Sequence, residues 1–254
     1  ETSEKGDTVY FVGCAPYFDV VFSETGAQTL ESAKGAIRLL NAIGVKPVLL
    51  PNERCCGHDL VWNGDNEDFR MLAEQNLAMI RDSGASRVVF GCPEGYATFK
   101  LDYPRILGDL GFEVVHLSEL IRDAVAGGDL TFDSNGESTV TFQDPCRLGR
   151  HMGIYDAPRE ILSALPGIKL IDMPRSRERS ICCGVSGWTN CTSFSKLLQT
   201  VRLREARATG ANTLITACPK CEIHLKCALS DQVLRDELGL EVKDLWAVAA
   251  SRLA

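Results

Sequence analysis

Several things are missing from this 254-residue chain. It has no run of about 18 apolar residues, so no membrane-spanning helix is expected. It has no excess of positive charge. Its 27 Lys and Arg stand against 34 Asp and Glu, a net −7, which argues against general binding to nucleic acid or anionic membrane. No secretory signal opens it, and it starts at Glu1 rather than Met, as a fragment would, or a chain numbered from its first ordered residue. It also lacks the ferredoxin-type Cys-x-x-Cys-x-x-Cys-x-x-x-Cys-Pro run, so electrons, if it handles them, are expected from a partner subunit or an upstream segment.

What the chain has is cysteine, 11 in all. A disulfide framework suits small secreted domains without a core. This chain is long, 45% apolar, odd in its cysteine count and without an export signal, so metal or cluster ligation is the better reading. The cysteines are ordered in two copies. The first half carries Cys14, then Cys55-Cys56-Gly57, then Cys92. The second carries Cys146, then Cys182-Cys183-Gly184, then Cys218 and Cys221. The intervals match: 40 residues lie between Cys14 and Cys55 and 35 between Cys146 and Cys182, then 35 between Cys56 and Cys92 and 34 between Cys183 and Cys218. "RVVFGCP" (87–93) aligns with "TLITACP" (213–219), and "VVHLSEL" (114–120) with "EVKDLWA" (241–247). Such self-similarity is the mark of an internal duplication. The repeats are expected over 1–126 and 138–254, with the Gly-, Asp- and Ser-rich stretch 126–138 as linker.

Each copy alternates strand-like and helix-like segments. "TVYFVG", "RVVF", "STVTF" and "TLITA" read as strands, and Val88-Val89-Phe90 suits a strand covered on both faces. Leu30, Ala33, Ile37 and Leu40 form one expected core stripe, and Phe194, Leu197, Leu198 and Val201 another. Asp156 with Pro158 marks a helix start. The fold class expected is α/β: two tandem Rossmann-like repeats with parallel sheets. Cys14, Cys92, Cys146 and Cys218 then fall at the carboxyl ends of strands, and the two Cys-Cys-Gly turns follow "PVLLP" and "KLIDMP". Ligands of open parallel sheets bind at that edge, so each half should gather its distant thiols there.

Three readings compete for the second set. Zinc needs four thiolates, and this copy offers five. A thioredoxin-like dithiol at Cys218 and Cys221 leaves the other three unexplained. An iron–sulfur cluster takes thiolates as its usual ligands, and five exceed the need of an ordinary cubane. The duplicated pattern, with "DPCRLGRHMGIYDAPREIL" (144–162), "CCGVSGW" and "ACPKC", resembles the CCG or cysteine-rich domain of heterodisulfide reductase catalytic subunits and related iron–sulfur oxidoreductases. The resemblance covers essentially the whole chain. It implies a noncubane 4Fe–4S cluster on Cys146, Cys182, Cys183, Cys218 and Cys221, through which the chain would reduce a disulfide or pass electrons in a multisubunit redox complex. The implied partners are iron–sulfur or flavin subunits that donate electrons, and a disulfide or an acidic redox partner. The implied location is cytoplasmic, or peripheral on a membrane complex. Gly184 would let the backbone turn closely against the cluster.

The first copy departs from the pattern. It reads "CPEG", with Gly95 where the second has Cys221, so Cys14, Cys55, Cys56 and Cys92 are left for zinc, a second cluster or a decayed site, with Glu94 as the substitute ligand if one is needed. Cys191 and Cys227 fall outside the repeat and are expected in the core. His58 and His224 are expected to pack or hydrogen-bond. Arg147, Arg150, His151, Arg175, Arg177, Arg179 and Lys220 flank the second set, and are expected either as a solvated face or as a basic rim that meets the anionic cluster or an acidic partner.

Overall fold

The computed structural model describes residues 1–184 and 191–254. Seven strands are present among the described residues: β1 Thr8–Phe11, β2 Arg87–Phe90, β3 Glu113–His116, β4 Ser138–Gln143, β5 Ile168–Leu170, β6 Thr213–Thr216 and β7 Glu241–Asp244. They form two all-parallel sheets, ordered β1-β2-β3 and β5-β4-β6-β7. The register places Val9 beside Val88 and Val88 beside Val114, and in the second sheet Phe142 beside Ile215 and Ile215 beside Lys243. Both sheets are flanked by helices, as a parallel sheet buried on two faces requires. The expected α/β class of tandem Rossmann-like repeats is what the chain adopts.

The duplication reaches the topology. In the second sheet the strand that comes second in sequence, β5, lies at the edge beside β4. The first sheet has the same arrangement in reduced form, because "PVLLP" contributes only a bridge at Val48, parallel to Val9. The prolines explain the loss. Pro47 and Pro51 have no N–H, so the ladder there is Val48 N to Thr8 O (2.8 Å) and Tyr10 N to Val48 O (3.0 Å).

One expected stripe is wrong. Phe194, Leu197 and Leu198 of the helix Ser193–Ala208 are 77%, 57% and 41% exposed. The buried face holds Ser195, Gln199, Arg202, Leu203 and Ala206. Polar pairing outweighs the apolar stripe. The Arg202 guanidinium, wholly buried, donates to Gln143, to Ser180 Oγ (3.0 Å), to the Arg175 carbonyl (2.7 Å) and to Glu205 (3.1 Å). A satisfied network of this kind is costly to open. In the other helix, Thr29–Ala42, Ala33 and Leu40 of the expected stripe are buried, whereas Leu30 and Ile37 are half-buried at its border and Ala36 and Leu39 complete the buried face; the helix Asp156–Ala164 starts where Asp156 and Pro158 marked it.

The stretch 126–138 is packed rather than free. The helix Leu117–Gly127 runs into it, Leu130 and Phe132 are buried in the core, and Phe132 bridges Leu253. That core belongs to both repeats: Tyr10, Leu39 and Leu117 share it with Phe142, Ile161 and Trp246. The seam is close. A Cβ on Gly35 would lie 2.6 Å from the Trp246 carbonyl oxygen, and the Trp246 indole donates to the Gly91 carbonyl at 2.9 Å.

Candidate metal centre

The topology delivers the thiols to one edge. β1 and β2 end three and two residues before Cys14 and Cys92; β4 and β6 end three and two residues before Cys146 and Cys218. Cys218 precedes the helix Pro219–Ala228 and Cys92 the helix Pro93–Ala97, each with proline in the first turn. The Cys-Cys-Gly turns complete each set. Both glycines are required. Gly57 and Gly184 sit at φ +80° and +86°, and a Cβ would lie 2.6 Å from the Phe69 ring and 2.7 Å from the Ser195 carbonyl oxygen. A larger residue would push the paired thiols off the edge.

In the second repeat the five thiols form one string: Cys146 to Cys182, Cys182 to Cys183, Cys183 to Cys221 and Cys221 to Cys218. They line a single cavity, and Cys183, Cys218 and Cys221 are buried. The pKa values of Cys146, Cys183 and Cys221 are pushed upward, first by hydrogen bonds to neighbouring sulfurs, then by burial, and then by the like charge those sulfurs would carry. A cation that accepts thiolates removes that conflict and releases the protons. This donor set, all sulfur and packed edge to edge, fits a thiolate-held metal cluster.

The first repeat gathers four. Cys14, Cys55, Cys56 and Cys92 line a second cavity, with Cys14 Sγ 3.7 Å from Cys55 Sγ. Hydrogen bonds from Cys14 and Cys56, and the Gly57 N–H, hold Cys55 down to about 3, while Cys14 moves up. The Glu53 carboxylate ties down the Cys14 loop by accepting the Val12 and Gly13 N–H groups, and burial pushes its pKa up to about 7. A fifth thiol would need the Phe90 ring to give way. A Cβ on Gly95 would point at Cys56 Cβ (4.0 Å) but meet the Phe90 ring at 3.1 Å. Phe90 occupies the alignment position of Thr216 in the other repeat. Phe90 itself is locked against Phe11 and Phe99, with ring centroids 5.3 and 4.8 Å away. Gly95→Cys alone is therefore expected to add no iron at this site, measured as iron per chain in a Cys183→Ala background; a gain would show that Phe90 yields.

The flanking charges divide: Arg150, His151, Arg175 and Arg179 are exposed, Arg147 and Arg177 are half-buried, and Lys220 leaves the expected rim for the interior. Lys220 is buried at 4% exposure, its ammonium 2.6 Å from Asp59 Oδ1 and 2.8 Å from Glu94 Oε2. Burial works against this charge, but the two carboxylates outweigh it and raise its pKa. Arg147 lies over the Trp62 ring at 3.7 Å and donates to His58 Nε2 at 2.9 Å and to His151. Burial and Arg147 lower the His151 pKa. Arg150 is exposed and reaches the Ser180 carbonyl at 2.7 Å. Arg175 pairs with Glu205 and Arg177 with Asp156. His58 lies beside Asp59 and Glu94, and His224 meets Gln199 at 3.1 Å with its pKa lowered to about 4 by burial.

Cys191 is exposed and Cys227 only partly buried, so neither belongs to the core as expected. Cys191 precedes the helix whose apolar side faces outward, and the Lys196 ammonium lies 3.0 Å from Cys227 Sγ. The part of "CCGVSGW" from residue 185 on lies outside the described residues. Sequence reasoning missed Asp59 and Trp62, and missed the pair Asp144–Arg159 behind the Cys146 loop. One signal was available: opposite charges at the equivalent third positions of "CPEG" and "CPKC".

Comparison with known proteins agrees with this geometry. The cysteine-rich domain family, CCG, matches residues 8–100 and again residues 140–226. A dihydromethanophenazine:CoB–CoM heterodisulfide reductase chain of Methanosarcina barkeri is 34% identical over 95% of this chain and 60% of its own length. The EtfAB:quinone oxidoreductase of Syntrophomonas wolfei is 30% identical over 87% of this chain and 31% of its own length. The chain thus spans about 60% of the reductase chains it matches, and less of other relatives. A crystal structure of a hypothetical protein from Helicobacter pylori shares the fold, with a TM-score of 0.63 at 16% identity over 99% of this chain and 50% of that one.

Proposed function

This chain belongs to the cysteine-rich (CCG) domain family of iron–sulfur oxidoreductases, and from that premise we propose that it is an electron-transferring module of the heterodisulfide reductase type. The observation that carries the reading is the string of five thiols at one sheet edge. Cys146, Cys182, Cys183, Cys218 and Cys221 would hold a noncubane 4Fe–4S cluster. When bound, such a cluster supplies one-electron redox chemistry at thiolate-held iron, and the protein positions and tunes it.

The chain's own residues have separable tasks. The two strand-end loops and the Cys-Cys-Gly turn set the sulfur positions. The Arg202 network holds the loop around Ser180 against Gln143, beside the cysteine pair. Cys14, Cys55, Cys56 and Cys92 offer a smaller, four-thiolate site, sufficient for zinc or a second cluster but not for the five-sulfur set. Thiol–disulfide exchange by Cys218 and Cys221 alone is disfavoured, because both are 4% exposed and bonded to other thiols, whereas exchange requires an accessible thiolate. The substrate would be a disulfide or a redox partner protein, with electrons supplied by an iron–sulfur or flavin subunit. No helix among the described residues is long and apolar enough to cross a membrane.

The deciding experiment is anaerobic purification, with iron, sulfide and zinc quantified per chain and electron paramagnetic resonance of the oxidised and reduced protein. Iron near four per chain, with matching sulfide, is expected from the second repeat (about four per cluster of this type). Colourless protein carrying zinc alone would overturn the reading.

A further inference from the structure

The two repeats exchange residues at their metal sites. Lys220 belongs to the second repeat yet lines the first repeat's cavity as well as its own. Glu94 and His58 belong to the first repeat yet line the second repeat's cavity. Glu94 and Lys220 occupy the same position of the duplicated motif, the third residue of "CPEG" and "CPKC". They meet each other across the seam at 2.8 Å, with Asp59 completing the clamp at 2.6 Å. Lys220 is 4% exposed, Glu94 9% and the Asp59 side chain 28%, so solvent screens this charge little.

A buried ion pair is weak evidence for stability, since desolvation offsets much of the attraction. Its placement is more informative. One cation sits between two clusters of thiols that must become anionic to bind metal. It is held by two carboxylates that come only from the repeat whose own motif lost a cysteine. We infer that Asp59 and Glu94 are positioning residues for the second repeat: they fix the Lys220 ammonium at the thiol edge, and the three charges together set the reduction potential of the centre held there. The first repeat is then not a relic but the electrostatic partner of the second. This rests on the cluster proposed above.

The signs follow from charge alone. A nearby cation favours the more negative, reduced state of a centre. Removing it in Lys220→Met is expected to move the midpoint to a more negative value. Neutralising a carboxylate in Glu94→Gln or Asp59→Asn is expected to move it the other way, with the double variant Lys220→Met/Glu94→Gln falling between. Lys220→Arg keeps the charge and should stay close to wild type. The measurement is a potentiometric titration followed by electron paramagnetic resonance, on full-length protein with iron counted per chain. A purely structural clamp would not sort lysine and carboxylate variants by sign. If Lys220→Met loses its iron, the carboxylate variants and Lys220→Arg still decide. Iron-loaded variants that share the wild-type midpoint, or that all move one way, overturn the inference and leave the functional reading standing. Wild-type protein without iron removes the functional reading, and this inference with it.

Discussion

Replacing Cys183 with Ala is expected to abolish the second-repeat cluster's resonance signal and to remove about four irons per chain. Cys183 sits mid-string: it bonds to Cys182 on one side and Cys221 on the other, and it is 4% exposed. Gly184 behind it is locked at φ +86°, with a Cβ already 2.7 Å from the Ser195 carbonyl oxygen, so the turn has no slack. The matched change, Cys56→Ala, is expected to leave the second-repeat signal intact, because Cys56 lines the other cavity. Iron content and the resonance spectrum of the two variants, purified side by side, check both statements. A Cys183 variant with the wild-type spectrum would remove that residue from the ligand set.

Arg159→Ala is expected to destabilise the protein by about 3–5 kcal/mol, the usual cost of leaving one partner of a buried pair uncompensated. Arg159 grips both oxygens of Asp144 at 2.6 and 2.9 Å and reaches Asp172 at 2.8 Å. The Arg159 and Asp144 side chains are 7% and 3% exposed. Asp144 lies two residues before Cys146, and its second oxygen also accepts the Arg177 N–H at 2.8 Å. Asp172 lies on the segment that leads from β5 toward Cys182. One guanidinium therefore joins the two loops that carry Cys146, Cys182 and Cys183. For a domain of this size the loss corresponds to roughly 6–20 °C in Tm, with iron retention falling alongside. Arg159→Lys keeps the charge without the two-pronged geometry and should fall between wild type and Arg159→Ala. Thermal unfolding of the iron-free proteins gives the number; a drop of less than about 2 °C would show that Asp144 finds another partner.

Much of the molecule was legible in the residue order. The strands "RVVF" and "TLIT" were evident from their buried β-branched runs, and the duplication from the cysteine intervals, because both depend on neighbours in the chain. What misled was local pattern in competition with distant partners. Phe194, Leu197 and Leu198 have helical spacing, but the buried Arg202 on the same helix donates to four acceptors, and it turned the helix polar side in. "PVLLP" looks like a strand until its prolines are asked for hydrogen bonds. Lys220 looked like surface because lysine usually is, and nothing local to "CPKC" discloses that Asp59, 161 residues away, lies against it.

The sequence by itself determined which residues could do the chemistry: two sets of thiols, one complete and one short by a cysteine, each placed just beyond a strand by the βα alternation. Those are covalent facts of spacing, and folding into parallel sheets could only bring them to the carboxyl edge. The tertiary structure decided how the two sets relate. Packing Gly35 against the Trp246 backbone presses the repeats into one core, and across that seam Glu94 meets Lys220. The physical reason is that burial and charge pairing act through space. A cation is forced into a dry seam only where carboxylates from another part of the chain meet it, and no interval between cysteines encodes that meeting.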